Sequence, residues 1–293
     1  MTRISFDRVL AVAVLIPSLV AVGIFVYGFI GWTAYVSLSN WNSFLPDLSF
    51  AGLQNYVNLF QTFRFQADLR NTLIFTVVFL VACLAIGFLL AVLLDQRIRG
   101  ESVFRNIFLF PMAISFIVTG VAWQWLLNPS TGVNLLLERA GLGALRSGWF
   151  TDPKIAIYSV VLAATWQLSG FTMAMYLAGL RGIPEELHEA ARVDGASEWQ
   201  LYRHVIIPLL YPVTLSAVIV LGHISLKIFD LVFAMTGSGP AFSTDVPGVF
   251  MFETTFRGNR FAEGAGIATI MLLLVAGLIV PYLWYGTRAE AGR

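Results

Sequence analysis

Six stretches of the chain stay apolar long enough to cross a lipid bilayer, at about 10–35, 71–94, 107–127, 156–180, 212–235 and 264–286. A spanning helix needs about 20 mostly apolar residues, because the hydrocarbon core is roughly 30 Å thick and a helix rises about 1.5 Å per residue. Each stretch is free or nearly free of charge and is closed by polar or turn-forming residues. The first follows Arg3 and Arg8, as the apolar part of a signal peptide would. It is longer than such a part, however, and no small-residue cleavage site ends it cleanly. Tyr27, Trp32 and Tyr35 read as interfacial anchors, so a retained helix is expected. Residues 36–70, 128–155 and 236–263 form loops of about 30 residues, 95–106 is short, and 181–211 is long and strongly patterned.

Six crossings return the chain to the side on which it starts. With that side taken as the cytoplasm, the inner segments hold Arg3, Arg8, Arg97, Arg99, Arg105, Arg181, Arg192, Arg203, Arg288 and Arg293. The outer loops hold Arg64, Arg70, Arg139, Arg146, Lys154, Arg257 and Arg260 over more residues. The bias of basic residues toward the cytoplasm therefore places both termini there.

Composition agrees. Of 293 residues, 58% are hydrophobic and 12% charged, about half the charged fraction of an ordinary soluble domain. Too little polar surface remains for a water-soluble enzyme, and a net charge of +1 offers no basic field for nucleic acid. The single cysteine, Cys83, lies in an apolar run and reads as a small buried thiol. His188, His204 and His223 lack metal-ligand spacing, and no nucleophile–base arrangement suggests catalysis. Glu253 and Glu263 lie near Arg257 and Arg260, where solvated pairing is expected. No internal repeat or linker marks a second domain.

The long inner loop carries the strongest local signals. Pro184 suits a first helical position, Glu185 and Glu186 complement the helix dipole, and Asp194-Gly195 stops that helix near Val193. Ser197 with Gln200 has capping-box spacing and starts a second helix that ends at Pro208. In it Trp199, Tyr202 and Ile206 fall on one predicted face. Two short helices at a fixed angle form a rigid knob, which suits either the headgroup surface or a docking protein.

Glu189-Ala190-Ala191, Asp194-Gly195-Ala196, Ile206 and Pro208 resemble the EAA loop of permease subunits in binding-protein-dependent ABC importers. The stretches Ile183–Leu187, Met235–Pro240, Gly52–Tyr56 and Phe110-Pro111 are similar to the carbohydrate-uptake branch of that family. The resemblance implies an all-α type I importer permease fold with six transmembrane helices, a single transmembrane domain over 1–293. It also implies a location in the cytoplasmic membrane. It implies as partners a second homologous permease, two cytoplasmic ABC ATPases and an extracytoplasmic sugar-binding protein. Glu189 would face the ATPase, Ala190 and Ala191 would allow close approach, and Gly195 would supply the sharp turn. The sequence contains no Walker A motif, so ATP and Mg would be bound by the partner and this chain holds no cofactor.

Polar groups inside spans are costly and mark a pathway by default. His223, Lys227 and Asp230 lie at i, i+4 and i+7 of the fifth span, as an internal Lys227–Asp230 ion pair or as a substrate or gating stripe. In the fourth span Gln167, Phe171 and Ala174 share a stripe. The family pattern places Gln167, Phe171, Ser225 and Phe229 near the sugar, whose apolar faces suit aromatic rings. Trp123, Gln124 and Trp125 read as interfacial anchors. Residues 239–247 look most like glucose or mannose permeases. Two rival readings remain: an importer for another solute, such as glycerol phosphate or an oligopeptide, and an ion-gradient-driven carrier with a His223–Lys227–Asp230 proton relay. Six spans without an inverted repeat or a broken-helix pair count against the carrier.

Overall fold

The computed structural model describes residues 6–96 and 98–291; Arg3, Arg97 and Arg293, used above for orientation, lie outside them. Fifteen α-helices follow one another among these residues. They are α1 (Phe6–Val22), α2 (Phe29–Ser37), α3 (Gln54–Gln61), α4 (Phe63–Asp95), α5 (Glu101–Leu109), α6 (Phe116–Leu126), α7 (Val133–Arg139) and α8 (Ala156–Arg181). The series continues with α9 (Glu185–Val193), α10 (Glu198–Leu201), α11 (Ile207–Leu209), α12 (Tyr211–Leu226), α13 (Asp230–Met235), α14 (Pro247–Phe252) and α15 (Phe261–Ala291). π turns fill Gly23–Gly28, Tyr202–Ile206 and Glu253–Arg257. The expected all-α architecture is present.

Four continuous helical stretches, Val14–Ser37, Phe63–Asp95, Ala156–Arg181 and Phe261–Tyr282, are long and apolar enough to span. Two bent pairs, Glu101–Ala113 with Phe116–Leu126 and Glu198–Leu209 with Tyr211–Leu226, raise the number to six. The six-crossing pattern thus holds, but spans three and five are broken where continuous helices were expected. In the third, Pro111 enters a 3₁₀ turn, Ile114 is extended (φ −85°, ψ 140°), and Ser115 caps the new helix by accepting from the Val118 amide. The chain bends by 100° there. The fifth bends by 62° near Leu210 and leaves helical geometry again at Lys227 (φ −114°, ψ 17°) and Phe229 (φ −134°, ψ −60°).

Helix α4 starts eight residues before the predicted 71 and has 33 residues, roughly 50 Å at the usual rise. It is therefore longer than a hydrocarbon core, and its polar first turns project beyond one. Hydropathy missed them because Arg64, Asp68 and Arg70 are charged; Arg64 finds its partner in Asp245.

The chain divides into two compact units. One comprises Met1–Thr62 with Met251–Leu272. Within it Asn55 donates to the carbonyls of Ser37 and Ser39, the Trp41 ring lies 4.9 Å from that of Phe261, and the Ala262 amide donates to the Trp41 carbonyl. Arg260 pairs with Glu263, whose carboxylate is buried rather than solvated as expected, while Arg257 pairs with Glu253 at 3.4 Å. The Val14–Ser37 span presents its apolar surface outward throughout its most hydrophobic window, as a helix facing lipid or another protein must.

The other unit comprises Phe63–Phe250 with Leu273–Arg293 and centres on α4 packed along α8. Phe75, Phe79 and Cys83 meet Val160, Ala164 and Leu168 in one buried cluster, which also takes in Leu231, Val232 and Met235. A second cluster joins Ala91, Leu94, Tyr176 and Leu180 to Leu201, Ile206 and Leu210. Inside a bilayer lipid is as apolar as leucine, so close fit does the work that water exclusion does elsewhere. The fit is visible at two glycines. A side chain on Gly170 of α8 would overlap the Phe108 carbonyl, and one on Gly120 of α6 would meet Ala234 Cβ at 2.8 Å.

Candidate coupling loop and solute path

The inner loop forms as its caps dictate. Helix α9 begins after Pro184 with Glu185 and Glu186 in its first turn. It ends before Gly195, whose φ of +79° is a left-handed conformation that a Cβ would strain. Ser197 then accepts from the Gln200 amide while Gln200 accepts from the Ser197 amide at 2.8 Å, completing the capping box.

The expected common face of Trp199, Tyr202 and Ile206 does not form. The π turn at Tyr202–Ile206 adds a residue to the helical turn and shifts the phase. Leu201, Ile206 and Leu210 become the buried row, Tyr202 is half-buried, and Trp199 is 70% exposed. The loop residues therefore separate into two sets. Glu189, Ala190, Asp194, Gly195 and Pro208 are exposed, with Ala191 and Ala196 half-buried. Ile206 is fully buried in the second cluster, so it anchors the loop rather than meeting a partner. Beside the loop lies a cavity of about 990 Å³ with Asp95, Glu101, Arg181, His188, Arg192 and Glu198 among its lining residues. Arg181, the last residue of α8, reaches Glu101 at 2.8 Å and Asp95 at 3.7 Å, tying the loop's origin to α4 and α5.

The candidate path residues are only partly brought together. Gln167 is buried and donates to the Ile114 carbonyl at 2.6 Å, satisfying backbone that the third-span break leaves without a helical partner. Ser225 is buried and donates to the Gly222 carbonyl at 2.8 Å. Phe171 is half-buried against the first cluster, and Phe229 stacks on Phe233 at 5.2 Å. The His223–Lys227–Asp230 stripe is not formed, because it presumed a continuous helix and Lys227 leaves it. No ion pair joins Lys227 to Asp230 among the described residues; both side chains are exposed, and His223 is half-buried.

A charge cluster at the other end of α4 had no expectation attached to it. Arg64 Nε donates to Asp245 Oδ2 at 2.5 Å, and its Nη2 donates to Ser238 Oγ at 3.2 Å. Its guanidinium lies over the rings of Phe242 and Phe250, at 5.0 and 4.5 Å from their centroids. Asn71 donates to the carbonyls of Phe242 and Asp245 at 2.7 and 3.0 Å. Asp68 and Asp245 are both fully buried. Burial pushes the Asp245 carboxyl above the usual carboxylate range, with Arg64 opposing. The loop so held contains Ala241 at φ 53° and Phe242 at φ 59°. Left-handed geometry at a bulky side chain persists only where the surroundings over-determine it.

Residues 85–287 match the family described as "Binding-protein-dependent transport system inner membrane component". The chain is 45% identical over 289 residues to a probable ABC transporter permease protein of Pyrococcus horikoshii, covering 98% of this chain and 99% of that one. It is 38% identical over 269 residues to a xylose/arabinose import permease of Haloferax volcanii, covering 91% and 84%. Among solved structures, a bacterial ABC transporter involved in import of the acidic polysaccharide alginate matches with a TM-score of 0.78 at 23% identity, over 93% of this chain and 94% of that one. That last likeness bears on the fold.

Proposed function

The chain belongs to the binding-protein-dependent transport system inner membrane components, and from that premise we propose that it is the membrane-spanning subunit of an ATP-driven sugar importer. The observation that carries the sugar reading is the 38% identity to the xylose/arabinose permease across nine-tenths of the chain. A trehalose/maltose permease of Thermococcus litoralis at 30% identity supports it. Like its relatives the chain is a permease rather than an ATPase; ATP and Mg belong to the partner. Glucose and mannose, suggested by residues 239–247, are the first sugars to test beside xylose, arabinose and maltose.

In this reading the 181–211 loop is cytoplasmic, both termini are cytoplasmic, and the exposed row from Glu189 to Gly195 seats in the ATPase. Motion of α9 passes to α8 through the continuous backbone at Arg181 and to the core through Ile206 and Leu210. The assembly has a second permease, two ATPases and an external binding protein. Lys227 and Asp230, exposed at a break within the fifth span, are too costly against lipid and face the path or the second permease. Phe171, Phe229 and His223 line the path, whereas Gln167 and Ser225 brace its backbone in this conformation.

Gly195→Asp tests the coupling role. Uptake by the reconstituted complex should fall more than tenfold while the complex still assembles, because the substitution strains an exposed turn and leaves the buried anchors intact. Unchanged uptake would remove the loop from the mechanism. Uptake that survives ATP depletion but collapses with an uncoupler would favour the gradient-driven carrier.

A further inference from the structure

We propose that the cavity bounded by the end of α6, the Trp149–Thr151 turn and the Thr236–Pro240 loop is a vestibule subsite for a saccharide, on the outer side of the path; this rests on the sugar-import reading. The cavity is about 440 Å³, within the roughly 300–1,000 Å³ of small-molecule sites. Its lining residues include Phe150, Gln124, Thr151, Thr236 and Ser238, an aromatic ring with an amide and three hydroxyl side chains. That is the chemistry a sugar ring asks for, an aromatic face for its CH surface and donors and acceptors for its hydroxyls.

Three further observations separate this cavity from a chance hollow. First, Gln124 makes no side-chain hydrogen bond to any other described residue. Its amide is thus uncommitted beside the cavity. Second, the Phe150 side is fixed. Trp149, at φ 45°, donates through Nε1 to Asn134 Oδ1 at 2.9 Å, and the buried Asn134 donates to the Ser147 carbonyl at 2.7 Å. Third, the opposite side is fixed by the charge cluster, because the Ser238 hydroxyl that lines the cavity accepts from Arg64. Two independently braced walls keep the cavity formed before anything binds, which lowers the ordering cost of binding. Phe150 packs against the first buried cluster, as Trp123, Phe171 and Phe229 also do, so the subsite and the proposed path rest on one core.

The test uses the full importer in proteoliposomes, with a sugar that the wild-type complex imports. A Thr151→Cys reporter, made with Cys83→Ser, is labelled from outside by a membrane-impermeant thiol reagent. The sugar alone should slow labelling at least fivefold, and adding Phe150→Ala or Gln124→Ala should abolish that protection, whereas Phe150→Trp should keep it. Phe150→Ala should also raise the KM for uptake severalfold with kcat little changed. Protection by the sugar-free binding protein but not by sugar would overturn the proposal in favour of a protein-docking seat. Protection by neither would overturn it outright while leaving sugar import intact. If the wild-type complex imports no sugar at all, the failure lies in the sugar reading and the subsite falls with it.

Discussion

The two ends of α4 hold charge in opposite ways. At Arg64 the partner Asp245 is fully buried, the guanidinium lies over two rings, and a strained loop is fastened. At the Asp95 end Arg181 pairs with both Asp95 and Glu101, all three with a fifth or more of their side chains open to solvent. Burial makes the first cluster nearly irreplaceable, since losing one member strands a charge without water. Exposure makes the second adjustable, because water and salt can replace any lost partner. One end of the helix is built to stay closed. The other keeps the freedom to re-pair that the proposed coupling requires.

The most severe way to break this contrast is Arg64→Met. It should destabilise the chain by about 3–5 kcal/mol, the usual cost of stranding a buried charge. Thermal unfolding of the purified complex measures it, and adding Asp245→Leu should restore a large part of the loss. A result near zero for Arg64→Met would mean that the cluster is solvated in the membrane. Asn71→Ala should come next, at about 1–3 kcal/mol, because it leaves the Phe242 and Asp245 carbonyls short of a donor. Arg181→Gln should be mildest in stability, leaving the unfolding midpoint in place while lowering the uptake obtained per ATP hydrolysed. Raising the salt concentration should reproduce part of that uncoupling in the wild type and little of it in the variant. A fall in stability as large as that of Asn71→Ala would erase the distinction between the two ends.

How much of this was legible in the sequence depends on how local each cause is. The α9–Gly195–Ser197 element was readable because Pro184, Gly195, Ser197 and Gln200 act within a turn of themselves. The number of crossings was readable because apolar length is a sum over neighbours. The breaks at Ile114 and Lys227 were not, since an apolar window says nothing about which residue leaves the helix. Pro111 followed by Ser115, a breaker and then a cap, was the signal available for the first. The stripe of His223, Lys227 and Asp230 failed with the helix it assumed. The Arg64 cluster lay beyond reach because its partners are 181 positions apart. The phase of Trp199 was lost to a π turn that no residue in 202–206 announces.

That π turn has a consequence for how such a chain can change over time. The extra residue at Tyr202–Ile206 works as a clutch between two rows of side chains, the outward one carrying Trp199 and the inward one carrying Ile206 and Leu210. Deleting one residue there would restore α periodicity and turn the outward row by about 100° against the inward one. Substitutions can therefore reshape the surface offered to a partner without re-cutting the seat in the bundle. A single-residue length change could re-aim the whole surface in one step.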